Sequence, residues 1–315
     1  KNFNIIIADG GEEIDRYEIH ESYFPNINLS QIVFPFDRDI KTFQSKIIKA
    51  LGSVSTQYVC MMSNDDFIFQ DSIFNQIKFL DNNPDYSASR GDVFDFAINS
   101  LNKKNQLYGD IYSIFRLFYP IGYNSNDVLE RLKDYKKCYS GLWHSIIRTE
   151  VLKEIINRSI KNNISSNQIF ERYVNLMILI SGKVYFDNSL YLLHQVHKEM
   201  QTENEDFLSF ENEVKMFPHI FDNFIKSLTD FIGRQKKEDS TILKRNVLKI
   251  TKGIYRKSIK ESEESLVGDK IKLSLVQFLK KSDLLLYLSI KLKNKFFRKK
   301  TEYEEQISLV RSFLN

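Results

Sequence analysis

The apolar run Tyr58-Val59-Cys60-Met61-Met62 leads without a break into Ser63-Asn64-Asp65-Asp66. Apolar residues at helical spacing follow from Asp71 to Asn82, where Asn83-Pro84 stop them. A short apolar run between turn signals reads as a strand buried on both faces, and the periodic run after it as an amphipathic helix. Asn4-Ile5-Ile6-Ile7-Ala8, closed by Asp9-Gly10-Gly11, has the same form, and Gln31-Ile32-Val33-Phe34 is a further candidate strand. Ile40, Phe43, Ile47, Ile48 and Leu51 mark a helix with Lys41, Lys46 and Lys49 on or beside its polar side. Tyr86–Arg90 supplies another strand. Strand, helix, strand, acidic turn and helix in that order predict an α/β chain with a mostly parallel sheet.

Farther along, residues 97–140 are polar and tyrosine-rich, which predicts a long irregular connection of the kind that carries binding loops. Ser145–Arg158 and Ser166–Ser181 have helical spacing, the second with Gly182 at its C-terminal end. Val184–Phe186 and Leu190–Leu193 read as short strands. Beyond Glu203 the pattern is almost wholly helical. The 315 residues therefore divide near 200, into an α/β unit over 1–200 and a helical region over 201–315. Charge divides there too: 22 Lys+Arg face 24 Asp+Glu in 1–200, whereas 23 face 17 in 201–315. The basic, apolar stretch Leu284–Lys300 suits a helix lying on an anionic membrane, an oligomer or partner surface, or plain packing.

Several functions are excluded at this stage. The chain has 11 glycines, about half the usual frequency of roughly 7%. It contains no G-x-G and no P-loop, so neither glycine-rich phosphate cradle is present. The two cysteines, Cys60 and Cys138, are too few for a disulfide framework or a cysteine zinc site and read as reduced intracellular thiols. No apolar stretch approaches the ~18 residues of a membrane span, and no signal peptide opens the chain. It begins with Lys1, as a processed or truncated piece would. Nothing resembles a G-x-S-x-G hydrolase elbow or a nucleic-acid-binding motif.

Chemistry concentrates at a few positions. Asp65 and Asp66 follow a buried strand, where open α/β sheets bind ligands. Adjacent carboxylates repel unless a cation stands beside them, and Mg²⁺ or Mn²⁺ shared with a substrate phosphate would serve. A helix N-cap is the equal alternative. Asp9 ends its strand in the same way, with an Asx-turn onto Gly10 as its structural alternative. Glu171, one turn into the helix 166–181, reads as a general base or as an acid favoured by the helix dipole. Its neighbour Arg172 could meet a phosphate or a surface acid. His194 and His197 form H-x-x-H after a strand, suited to a metal, a diphosphate or ordinary packing. Trp143, the one tryptophan, suits a core position or the face of a sugar ring.

Three stretches in this order resemble bacterial family-2-like glycosyltransferases of the GT-A fold, a Rossmann-like nucleotide-diphospho-sugar transferase architecture used in surface polysaccharide synthesis. Phe3–Glu13 (FNIIIADGGEE) is similar to that fold's second strand and its Asp-Gly-Ser-type turn. Thr56–Phe67 (TQYVCMMSNDDF) is similar to the strand entering the D-x-D motif. Gln168–Asp187 (QIFERYVNLMILISGKVYFD) is similar to the acidic helix, glycine and strand that supply the base. The likeness covers about residues 1–200 and implies a further strand before Lys1.

The resemblance implies that Asp9 and Lys46 (or Lys49) contact the nucleotide, with Asp65 and Arg172 also on the donor. It implies Mn²⁺ or Mg²⁺ on Asp66 and Asp65, with His194 as an added ligand, and Glu171 as the base. Trp143, Arg116 and Tyr108 would lie on the acceptor side. The partners implied are a nucleotide-sugar donor, foremost a UDP-sugar, and a glycan or lipid-linked glycan acceptor. The location implied is cytoplasmic, at the inner face of the membrane. Asn64 departs from the first aspartate of D-x-D, and Arg172 stands where a longer acidic motif is common. A nucleotidyltransferase of the same fold, and an interaction protein with a degenerate α/β half, are the alternative readings.

Overall fold

The computed structural model describes residues 3–10, 27–35, 37, 39–99, 110–116, 122–137, 141–195, 209–235, 240–253 and 304–314. The chain is mixed α/β. Strands β1 (Phe3–Asp9) and β2 (Ile27–Val33) pair in parallel as a separate two-stranded sheet. Helix α1 (Ile40–Gly52) starts at Asp39, whose carboxylate accepts from the Thr42 amide at 2.8 Å in a capping box, a device that satisfies otherwise orphaned first-turn donors. Then come β3 (Tyr58–Val59), β4 (Phe67–Ile68), α2 (Gln70–Asn82), β5 (Tyr86–Asn99), β6 (Asp110–Arg116), α3 (Val128–Lys137), β7 (Ile146–Arg148), α4 (Thr149–Lys161), α5 (Asn167–Ser181) and β8 (Lys183–Gln195). Helices α6 (Phe210–Met216) and α7 (Pro218–Gln235), α8 over 240–253, and α9 (Glu304–Leu314) complete the described residues.

The larger sheet runs β3-β7-β5-β8-β4, with β6 attached to β5. Its longest register, β5 with β8, is parallel, as is β1 with β2; the shorter pairings are antiparallel. The main core gathers α1, α3, α4 and the fully buried face of α5, from Ile169 to Ile180. Ile220, Phe224 and Leu228 of α7 and Leu243 and Val247 of α8 enter the same core. The proposed division near residue 200 falls outside the described residues, and so do His20, Tyr108, Cys138, His197 and Leu284–Lys300. Among the described residues no helix is long and apolar enough to cross a membrane.

Several local expectations are revised. The run Tyr58–Met62 forms ladder pairs only at Tyr58 and Val59, and the Met61 carbonyl farther on is bonded by the His144 ring. Ser145–Arg158 is not one helix. Ile146–Arg148 is a strand, and the Thr149 amide and hydroxyl bond the Gln57 and Thr56 carbonyls as α4 begins. The segment 97–140 is not irregular throughout, for it holds the end of β5, then β6 and α3. The two short strands expected after Gly182 are one, β8. Gly182 itself is extended rather than left-handed. Glycine is needed there because a Cβ would stand 2.7 Å from the Ser87 amide nitrogen, where α5 turns into β8.

Candidate active site

Strand alternation brings the chemistry together. In the parallel register of β5 and β8, Asp95 stands beside His194, while Phe94 stands beside Leu193. In the antiparallel register of β4 and β8, Phe67 stands opposite Leu193. Successive side chains take opposite faces. Asp66, Asp95 and His194 therefore share one face of the sheet, and Phe67, Phe94 and Leu193 share the other.

The Asp66 side chain has no exposed surface. Its Oδ1 accepts from His194 Nδ1 at 2.8 Å and from the Gln195 amide at 3.1 Å. Its Oδ2 has no hydrogen-bond partner and lies 4.0 Å from His144 Nε2. The hydrogen bond to Asp66 holds the His194 imidazole above its ordinary pKa, against burial, with the charges of Asp66, Asp95 and Asp65 adding to the effect. Burial pushes His144 the other way, toward the neutral form. Its Nδ1 donates to the Met61 carbonyl at 2.8 Å, so in the neutral ring Nε2 carries the lone pair. Two acceptors, Asp66 Oδ2 and His144 Nε2, thus face each other with no donor between them.

Residues around the ring fix it. Tyr191 Oη donates to the His144 carbonyl at 2.6 Å, and Cys60 Sγ lies 3.3 Å from the same oxygen and 3.1 Å from Tyr191 Oη. Burial pushes the Cys60 thiol up to about 12, so it acts as a neutral donor.

Asp95 is 6% exposed and its Oδ1 has no hydrogen-bond partner. Burial pushes its pKa up to about 6, with His194 opposing and Asp66 reinforcing the shift. A carboxyl raised above its unfolded value of ~3.9 weakens the fold when ionised. That cost is absent below about pH 4, grows up to about pH 6 and stays constant above it. Asp95→Asn is therefore expected to raise the melting temperature by a few degrees near pH 8 and to leave it unchanged at about pH 3. Scanning calorimetry at the two pH values checks this; an equal shift at both would sink the electrostatic account.

A divalent ion is consistent with this donor set. Magnesium and manganese take one or two carboxylates and complete their shell with water and substrate phosphates. The unpartnered Asp66 Oδ2, facing an imidazole lone pair, has that character. Among the described residues no three His, Cys, Asp or Glu side chains gather as a full protein-only site.

Of the residues singled out in the sequence, Asp66, Asp65 and His194 come together here. The remaining residues make the following contacts. Asp9 accepts from Gln31 Nε2 at 3.2 Å, and its strand lies in a different sheet from β3 and β4. Lys46 forms an ion pair with Asp37 and lies 5.3 Å over the Phe43 ring. Trp143 stacks on Phe43, with centroids 6.2 Å apart, and meets Phe170 edge-on at 5.8 Å. It is a partly buried member of the core margin.

Glu171, on α5, accepts from Gln168 Nε2 at 3.3 Å. Burial pushes its pKa up and Glu213 adds to that. Burial lowers the pKa of Arg172, against the attraction of Tyr135. Arg116 lies on β6, with its side chain outside the described residues. An open groove of about 310 Å³ between α2 and β8, lined by Asn75, Lys78, Phe79, Tyr185 and Asp187 among others, contains none of these residues.

Sequence reasoning missed Asp95 and His144. The alternation Phe94-Asp95-Phe96 could have flagged an acid on the strand face opposite two aromatic rings. For His144 no local signal exists, because tertiary structure alone brings it to Asp66.

No family model matches the chain, and no curated protein matches it. Among solved structures, the chain is similar to Staphylococcus aureus TarS at 12% identity and a TM-score of 0.41, covering 79% of this chain and 37% of that one. A structure of TarS residues 1–349 in complex with UDP-GlcNAc gives 13% identity and a TM-score of 0.43, over 75% of this chain and 59% of that one. A further structure of TarS 1–349 gives 11% and 0.41, over 81% of this chain and 82% of that one. The chain thus spans little more than a third of the length of the longer TarS structure. At these scores the likeness bears on neither the fold nor the function.

Proposed function

We propose that this chain is a glycosyltransferase that moves a sugar from a nucleotide-diphosphate donor, a UDP-sugar in the first instance, to a hydroxyl of a glycan or lipid-linked glycan during surface polysaccharide synthesis. One observation carries the reading. Asp66, the acid directly before β4 in a stretch similar to a D-x-D strand, is held by His194 and the Gln195 amide with its second oxygen left open.

Asp66 Oδ2 and Asp65, with His144 and His194 alongside, would hold Mn²⁺ or Mg²⁺. Such an ion offsets charge growing on a departing diphosphate. The protein residues do the rest. His194 and the Gln195 amide lock the Asp66 carboxylate in one orientation, so no reorganisation is required when the donor arrives. Neutral His144, fixed through Met61, keeps a lone pair directed at the same point.

Glu171, its proton affinity raised by burial and by Glu213, takes the acceptor hydroxyl proton. The acceptor oxygen forms its bond to the anomeric carbon as the bond to the diphosphate oxygen breaks, and direct displacement inverts that centre. Asp9, Lys46 and Arg172 remain the residues proposed for the nucleotide, and Trp143 and Arg116 those for the acceptor side. The basic stretch 284–300 would serve contact with the inner membrane face.

The test is a thermal-shift screen of nucleoside diphosphates with Mn²⁺. Binding to the folded state raises the melting temperature in proportion to RT ln(1 + [L]/Kd). UDP with Mn²⁺ is expected to stabilise the protein, and UDP without the ion much less. If no nucleoside diphosphate shifts the transition, the donor reading fails.

A further inference from the structure

The face of the sheet opposite Asp66, Asp95 and His194 is closed by a segment remote in sequence. Phe96 (0% exposed), Leu193 (0%) and Leu190 (4%) form a buried cluster with Val310 (5%) of α9, and Phe67, Phe69 and Phe94 pack against it. The Phe67 and Phe96 rings lie 5.7 Å apart. Each of three members is the direct chain neighbour of a site residue: Phe67 follows Asp66, Phe96 follows Asp95 and Leu193 precedes His194. Neighbours on a strand point to opposite faces, so the apolar trio lies directly behind the polar trio.

We propose that α9 is a positioning element of the site, with Val310 wedged behind Phe67, Phe96 and Leu193 so as to fix the spacing of the strands that carry Asp66, Asp95 and His194. Protein interiors are packed like crystals, and a volume change at one side chain is transmitted to its neighbours. A site of this kind tolerates displacements of only about 0.5 Å. β4 has just two ladder residues, Phe67 and Ile68, so its own hydrogen bonds hold Asp66 weakly in place. The wedge supplies the missing constraint. On the same helix Leu309 is 67% exposed and takes no part. This inference rests on the reading of the Asp66 face as the donor site, but the packing relation can be measured without any donor.

The experiment uses the full chain. The Gln195 amide, which donates to Asp66 Oδ1, reports local opening through hydrogen exchange, read against the amides of α4 in the same protein. Val310→Asp is expected to speed Gln195 exchange about tenfold or more relative to α4. Leu309→Asp should leave it unchanged and Val310→Ile should keep the wild-type rate. Val310→Ala, a cavity rather than a charge, covers the case in which Val310→Asp does not fold, and should act in the same direction.

A wild-type Gln195 rate in both Val310→Asp and Val310→Ala, or in Val310→Ala alone where Val310→Asp does not fold, overturns the proposal. So does an equal acceleration by Leu309→Asp. The same proteins are titrated with UDP and Mn²⁺, where Val310→Asp should weaken binding about tenfold. If wild type binds no UDP, the donor reading fails, while the exchange result still decides the role of α9.

Discussion

Asp66→Asn is expected to lower nucleoside-diphosphate release from a sugar donor by about 10²–10³-fold while the protein stays folded. The substitution preserves shape. The amide oxygen can still accept from His194 Nδ1 and the Gln195 amide, the two donors now on Asp66 Oδ1. What changes is the second atom. In place of a charged, unpartnered Oδ2 facing His144 Nε2 at 4.0 Å stands an N–H donor that can point into the imidazole lone pair. The pair then satisfies itself and no longer attracts a cation.

Release is measured with Mn²⁺ and a UDP-sugar, with and without acceptor. Rates within about twofold of wild type would remove Asp66 from the site. Glu171→Gln is the contrasting variant. Donor binding should survive while transfer falls by about 10²–10⁴-fold, the range for loss of a general base. Retained transfer excludes Glu171.

Arg131→Met should cost about 1–3 kcal/mol of stability, the range for leaving buried hydrogen-bonding groups without their partner. Arg131 is 5% exposed. Its Nε donates to the Leu179 carbonyl at 2.7 Å and its Nη2 to that of Ile180 at 3.3 Å, while Nη1 reaches Ser125 and Asn126 at 2.8 and 3.2 Å. Carbonyls in the last turn of a helix lack intrahelical partners, and a cation there also answers the helix dipole. A side chain from α3 thus caps the C-terminal end of α5, where the chain turns through Gly182 into β8. Methionine keeps most of the volume but no donor, so these buried carbonyls lose their partner. A urea melt should show a lower midpoint with an unchanged slope. A loss below about 1 kcal/mol would mean that water replaces the guanidinium.

The parts of this architecture legible in the sequence are those set by local pattern. Helices α1, α2 and α5 follow from apolar spacing, the end of α2 from Asn83-Pro84 and that of α5 from Gly182. Asp66 stood out with Asp65 because adjacent carboxylates at the end of an apolar strand repel unless a cation stands beside them. His194 stood out through its place after Leu190–Leu193. The rest depends on pairing between distant strands. Local periodicity divided β8 at the polar Asp187-Asn188-Ser189, because it cannot see β5 running alongside to hold the strand together. It merged Ile146–Arg148 into a helix because β-branched residues suit either state until β3 and β5 claim them. His144 was illegible as a site residue for the same reason: it lies 78 positions from Asp66 along the chain, and only the fold removes that separation.

The placement of β8 between β5 and β4 bears on how the protein is made. A nascent chain presents β4 and β5 to the cell before their common partner exists. Until residues 183–195 leave the ribosome, both strands carry unpaired edges, which are templates for association with other chains. No shorter product can assemble the site, since His194 and the Gln195 amide arrive with that last strand. Synthesis interrupted before it should yield an insoluble fragment rather than a weakened enzyme.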